Sequence, residues 1–211
     1  VHACNIAEIG MNIGIYIYDQ AEVLDFSGPF EVFSTASRAN AGECPFNVFL
    51  IAETSGPVVA RGGYRVLPDY RIHDHPPLDV LIIAGGVHDG EMHKTNVKEW
   101  IGTQGSGAVL MATVCTGIFL LANAMPGLSG GVTTHWEDQA ELARMFPRLD
   151  VVEGVRWVDQ GAVVSSGGIS AGIDMCLHLV SRLHSTELAL KTARQMEYFW
   201  DTTHAQPQRN T

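Results

Sequence analysis

Residues 108–122 read AVLMATVCTGIFLLA, and the order of residue types in this run decides the fold. Residues 108–113 are apolar almost throughout, as expected of a strand buried on both faces of a parallel sheet. Val114-Cys115-Thr116-Gly117 forms an elbow, and residues 118–124 then have the apolar density of a core helix. A side chain on so sharp a strand-to-helix turn takes a strained backbone and projects above its sheet. Ligands of open α/β sheets collect at these carboxyl ends of strands. The helix that starts here aims unpaired N–H groups and a positive dipole end at the sulfur. The sequence therefore predicts an exposed, reactive thiol at Cys115, with a pKa below the roughly 8.5 of a free cysteine. The alternative is a small buried hydrophobe, the usual fate of a lone cysteine.

Similar apolar runs recur at residues 12–18 (NIGIYIY), 46–52 and 79–84 (DVLIIA). Between and after them, helices are predicted from Ser27-Gly28-Pro29, with proline near the first helical position, and over 97–103, 136–146, 171–183 and 187–198. Short strands are predicted at 151–153, 156–159 and 162–165, the last two joined by a Gln160-Gly161 hairpin turn. Strands alternating with helices give an α/β fold, a three-layer sandwich with a mostly parallel sheet flanked by helices. Residues 11–200 are expected to form one domain. Residues 1–10 read as a leader or expression remnant, and 201–211 as a polar tail.

Composition narrows the function. The 211 residues suffice for one large domain with a sizeable core. Thirteen Lys and Arg scattered among 23 acids, a net charge of −10, argue against a nucleic-acid partner. No window approaches the roughly 18 uninterrupted apolar residues of a membrane span. The first ten residues lack the pattern of a secretory signal, so a cytoplasmic location is expected. Cys4, Cys44, Cys115 and Cys176 are widely and irregularly spaced, which reads as free thiols. No metal or cofactor is expected: zinc-ligand spacing is missing, and His73 and His75 beside Pro76-Pro77 read as a surface loop.

Several residues could assist Cys115. Gly85-Gly86 ends the neighbouring strand, where the N–H of Gly86, with those of Cys115 and Thr116, could bind a developing anion. The pair could equally be only a tight turn. Asp25 lies between apolar residues in VLDFSGP. It is either a helix-start acid or a proton shuttle whose pKa an apolar pocket would raise. His135, in GVTTHW, is a candidate base for a Cys–His pair, or a packed histidine. Glu31 reads as a solvated helix acid and Asp174 as a helix-end hydrogen-bonding residue.

The segments VLDFSGPFEVF, DVLIIAGG, VCTGIFLLA, VTTHWEDQAEL and SSGGISAGIDMCLHLV together resemble the DJ-1/PfpI (ThiJ) superfamily, whose fold is class I glutamine amidotransferase-like. The resemblance covers most of residues 11–198. It is strongest to the branch that contains isonitrile hydratase and the ligand-sensing domains of some AraC-type regulators. It implies a nucleophile at Cys115, an acid at Asp25, oxyanion N–H groups at Gly86 and Thr116, and a functional Thr116 beside the cysteine. The protease-like branch carries histidine after its cysteine, so Thr116 argues against a peptidase. Relatives often read Pro-Gly-Gly where this chain has Ala84-Gly85-Gly86, followed by an unusual Val87-His88-Asp89, which implies an altered pocket loop. The segment 193–198 resembles the ending of standalone members. The resemblance implies hydration of an isonitrile to an N-substituted formamide by a homodimer acting on a small molecule. A small-molecule sensing domain without turnover and a redox or glyoxal-handling role are the alternatives.

Overall fold

The computed structural model describes residues 10–40, 44–107 and 110–200; the expected leader, Gly10 apart, and the polar tail lie outside the described residues. The elements run β1 (Met11–Tyr16), α1 (Val23–Ala39), β2 (Phe46–Ala52), β3 (Val58–Val59), β4 (Arg65–Val66), β5 (Tyr70–Arg71), β6 (Val80–Ile83) and α2 (Asp89–Met92). They continue with α3 (Thr95–Ser106), β7 (Leu110–Val114), α4 (Gly117–Ala124), β8 (Gly130–Val132), α5 (Gln139–Met145) and β9 (Leu149–Val151). The last are β10 (Trp157–Asp159), β11 (Val163–Ser166), α6 (Ala171–Leu183) and α7 (Thr186–Gln195).

Seven strands form one sheet in the order β10-β11-β7-β6-β1-β2-β5. All its pairs are parallel except the β10–β11 hairpin. Every residue of β6 and β7 is buried, which is why both read as unbroken apolar runs. Helices α1, α6 and α7 pack together in one layer, and α2, α3 and α4 in another. The core between them is filled by Ile13, Ile15, Phe33, Ile82, Met111 and Phe119, among others. Ile83 pairs with Thr113, so β6 and β7 end side by side. Both chains leave the sheet at the same edge, one into Gly85-Gly86 and the other into Cys115.

Helix α1 starts at Val23 rather than at Ser27, and Pro29 lies inside it. The proline has no N–H for the Asp25 carbonyl four residues back, a weakening that burial of Phe26, Val32 and Phe33 offsets. The predicted helix over 136–146 divides into a 3-10 turn at Trp136–Asp138 followed by α5. Among the cysteines, Cys115 and Cys176 are free and buried. Cys44 is disulfide-bonded, which corrects the expectation of a free thiol there. Sequence spacing does not reveal which Cα atoms approach within the roughly 4.4–6.8 Å that a disulfide needs. Cys4 lies outside the described residues. No helix among the described residues is long and apolar enough to cross a membrane.

Candidate active site

Cys115 has φ 56, a left-handed conformation that few residues other than glycine adopt. The elbow is clamped from both sides. The Cys115 N–H is shared between the Ser166 and Gly167 carbonyls at 3.2 and 3.3 Å, at the end of β11. Its carbonyl accepts the buried Thr134 hydroxyl at 2.8 Å. Over-determination of this kind is what lets a strained residue persist. The sulfur is not exposed as the sequence suggested: Cys115 is 8% accessible, at the floor of a cleft of about 320 Å³.

Asp25 approaches from the first turn of α1 and is fully buried. Its Oδ2 accepts the Gly85 N–H at 3.2 Å and its Oδ1 the Ile169 N–H at 3.1 Å. Ile169 also has a positive φ, 55, which is rarer still for a β-branched residue. The Asp25 carboxyl and the Cys115 thiol hydrogen-bond to one another. Burial, and then the charge of Glu22, push Asp25 up to about 7, opposed by the two N–H donors and the thiol.

The Cys115 thiol is likewise pushed well above its ordinary range, by burial first and by the Asp25 charge second. The Thr116 N–H, at the start of α4, pulls the other way. The helix end is thus present as predicted, but desolvation of a thiolate at so buried a site outweighs it, and the expected depressed thiol pKa is corrected. Above about pH 7 the pair holds one proton, and below it two.

Glycine makes this approach possible. A side chain at Gly85 would stand 2.6 Å from the Thr116 nitrogen, 2.7 Å from Cys115 Cβ and 2.8 Å from Asp25 Oδ2. Gly86, at φ 140, donates its N–H to Thr116 Oγ1 at 2.9 Å. The Thr116 hydroxyl returns a hydrogen bond to the Gly86 carbonyl at 2.9 Å. The predicted trio of anion-binding N–H groups is therefore not free. Those of Gly86 and Cys115 are engaged within the protein, and that of Thr116 points at the sulfur.

The profile described as the DJ-1/PfpI family matches residues 11–182. The chain belongs to the DJ-1/PfpI family. It is 30% identical to the isonitrile hydratase of Pseudomonas putida over 195 residues, 90% of this chain and 79% of that protein. It is 27% identical to the HTH-type transcriptional regulator GbdR of Pseudomonas aeruginosa, over 89% of this chain and 50% of the regulator. The chain thus spans about half the length of that regulator. Among solved structures, a ThiJ/PfpI family protein from Pseudomonas syringae superimposes with a TM-score of 0.79 at 23% identity, covering 92% of this chain and 77% of the other. That likeness concerns the fold.

In this DJ-1/PfpI chain the cleft above the sulfur is also lined by Gly86, Thr116 and His135. Among the described residues no hydrogen bond joins His135 to Cys115. The His135 ring nitrogen accepts the Glu137 N–H at 3.4 Å and lies 3.5 Å from Asp138 Oδ2, while the thiol pairs with Asp25. His88, from the unusual loop, lies against Phe119 with ring centroids 4.4 Å apart. The cleft carries the carboxylates of Glu22, Asp89, Glu137, Asp138 and Glu141 against one guanidinium, Arg61, which is 3.5 Å from Glu22. Among the described residues no three His, Cys, Asp or Glu side chains converge as metal ligands. Sequence reasoning missed Ile169 and Thr134. Each lies within a family-like segment, but neither side-chain type announces that its backbone or hydroxyl holds the acid or the elbow.

Proposed function

We propose that the chain is a cysteine-dependent hydratase that adds water to an isonitrile and releases an N-substituted formamide. The observation that carries this is the buried, hydrogen-bonded pair of Cys115 and Asp25, which holds a single transferable proton above about pH 7. The P. putida relative supports the choice of reaction.

The Asp25 carboxylate takes the thiol proton as the sulfur attacks the terminal isonitrile carbon, forming a C–S bond. Asp25 then delivers that proton to the same carbon, leaving an enzyme-bound thioimidate, R–N=CH–S–Cys115. The carboxylate, ionised again, removes a proton from water as the water oxygen bonds to this carbon. Thr116 has committed its own proton to Gly86, so its hydroxyl is available to accept a hydrogen bond from that water and orient it. Asp25 passes the proton to nitrogen, then takes the proton of the new hydroxyl as the C–S bond breaks and hands it to the departing sulfur, giving the formamide and restoring the thiol. Each turnover consumes one water and no redox equivalent. An acidic mouth repels anions and admits a neutral isonitrile. A small-molecule substrate, a homodimeric state and a cytoplasmic location belong to the same proposal.

The test offers alkyl and aryl isonitriles to the wild type, Cys115→Ala and Asp25→Asn. Loss of the isonitrile infrared stretch with wild type alone supports hydration. The regulator GbdR favours a second reading, a domain that binds a small molecule without turnover. Saturable ligand binding with every isonitrile left intact would establish that reading and remove the first.

A further inference from the structure

Asp174 is an acid in the first turn of α6, buried among that helix's apolar residues, and both its carboxylate oxygens are occupied. Arg156, in the turn that leads into β10, pairs with Oδ2 through its Nε and Nη2. The Tyr198 hydroxyl donates to Oδ1 at 3.1 Å. A buried ion pair is costly to desolvate and gains little over apolar packing, so such a pair is better explained by what it fixes in place. Beyond Asp174, Arg156 reaches the segment between β11 and α6. Its Nη2 donates to Ser170 Oγ at 3.3 Å, and its carbonyl accepts the Gly167 N–H at 2.9 Å. These two contacts bracket Gly168 and Ile169.

Both bracketed residues touch the reacting pair. The Ile169 N–H donates to Asp25 Oδ1 at 3.1 Å. A side chain at Gly168 would stand 3.3 Å from Cys115 Sγ and 2.3 Å from His135 Cδ2, so the backbone there lies against the sulfur. Ile169 does not hold itself in place: its φ is 55, and at 42% exposure it has little packing to offset that strain. We infer that Arg156 is a positioning residue: anchored on Asp174, it grips residues 167 and 170 so that the Ile169 N–H meets the Asp25 carboxyl, a role that rests on Cys115 and Asp25 as the working pair of the proposed hydratase. The effect is read at Asp25. Its ionised form is opposed by burial and by Glu22 on its own helix, and favoured by the N–H groups of Ile169 and Gly85 and by the thiol. The Tyr18 hydroxyl beyond β1 also faces it. The Gly85 donor comes from the end of β6, out of reach of Arg156's contacts, so slackening the 167–170 loop removes the other N–H and leaves Asp25 holding its proton to higher pH.

The experiment titrates Asp25 directly, by carbon-13 NMR of protein labelled at its aspartate carboxyl carbons, with the Asp25 resonance identified by its loss in Asp25→Asn. The wild-type midpoint is expected at about 7. The double variant Arg156→Met/Asp174→Asn removes both partners at once and so leaves no buried unpaired charge. Its midpoint is expected to rise by about one pH unit, as for loss of one charge-assisted hydrogen bond. Ser170→Ala changes no charge and removes no helix cap, since the Ser170 side chain makes no capping bond. It is expected to raise the midpoint by roughly half a unit. A wild-type midpoint in either variant overturns the inference, whatever the melting temperature, and Ser170→Ala decides alone if the double variant does not fold. Arg156→Lys keeps the charge but not the planar fork, and a rise is expected there too. A wild-type midpoint in that variant would assign the effect to charge and overturn the positioning role. No isonitrile enters these titrations, so their failure and a failure of the hydratase assay are read apart.

Discussion

Asp25 binds its proton up to about pH 7 in the folded chain, against 3.8 for an ordinary aspartate, because burial penalises its charge. A raised acid favours the fold fully below 3.8, and that contribution is lost as the pH climbs to about 7, beyond which nothing more is lost. Asp25→Asn removes this slope. Its melting temperature relative to wild type is expected to rise between pH 4 and 7 and then stay level, a gap on the order of a few kcal/mol when converted to stability. Turnover should follow the opposite course. Wild-type kcat/KM for an isonitrile is expected to increase through about pH 7, as Asp25 becomes able to take the thiol proton, and then to level off. Asp25→Asn should lose about 10²–10⁴-fold at every pH. The sequence marked both residues, because an acid among apolar neighbours and a cysteine before Thr-Gly are unusual locally. It could not show which way the thiol would titrate. That depends on desolvation by chain segments as distant as Ile169, a tertiary quantity that no local pattern carries.

The elements most easily seen in the sequence are those the sheet buries on both sides. β1, β6 and β7 are continuous apolar runs, and α6 coincides with its predicted residues 171–183. The two- and three-residue strands β3, β5 and β8 leave no period long enough to detect. The start of α1 was hidden because Pro29 imitates an N-terminal signal, while packing extends the helix through it. The segment between β8 and α5 shows what an irregular stretch can contribute. Thr133 donates its N–H to Ser165 Oγ at 2.9 Å and its hydroxyl to the Val152 carbonyl at 2.8 Å, and the Thr134 hydroxyl donates to the Cys115 carbonyl. Thr134→Val keeps the shape and strands that carbonyl. It is expected to lower stability by about 1–3 kcal/mol in urea unfolding and to slow alkylation of Cys115, since the elbow loses one side of its clamp. Equal stability to wild type would show that the carbonyl finds another donor.

At the scale of the molecule the net charge is −10, and carboxylates surround the opening above the sulfur, where among the described residues that line it only Arg61 offers a Lys or Arg counter-charge. A neutral isonitrile should therefore be turned over faster than one of equal length bearing a carboxylate. Raising the ionic strength should narrow the difference, because the carboxylates at the rim are solvated and screened. Equal rates at low salt would mean that the rim does not select. The whole-chain architecture was apparent from the alternation of strands and helices, whereas the acidity of one opening emerges only when Glu22, Asp89 and Glu137 are folded together from three distant segments.

The two non-glycine residues of the site with positive φ, Cys115 and Ile169, face the same cleft and are each held against their backbone preference. Such strain is worth roughly 1–3 kcal/mol per residue. A laboratory selection for heat tolerance alone would be drawn to these two positions, where glycine or asparagine relaxes the chain at little steric expense. Survivors at 115 would be hardier and chemically inert, and survivors at 169 would have loosened the amide that steadies the carboxyl partner. Durability and competence are thus opposed at one small spot, and any stabilisation campaign should exempt both codons from mutagenesis.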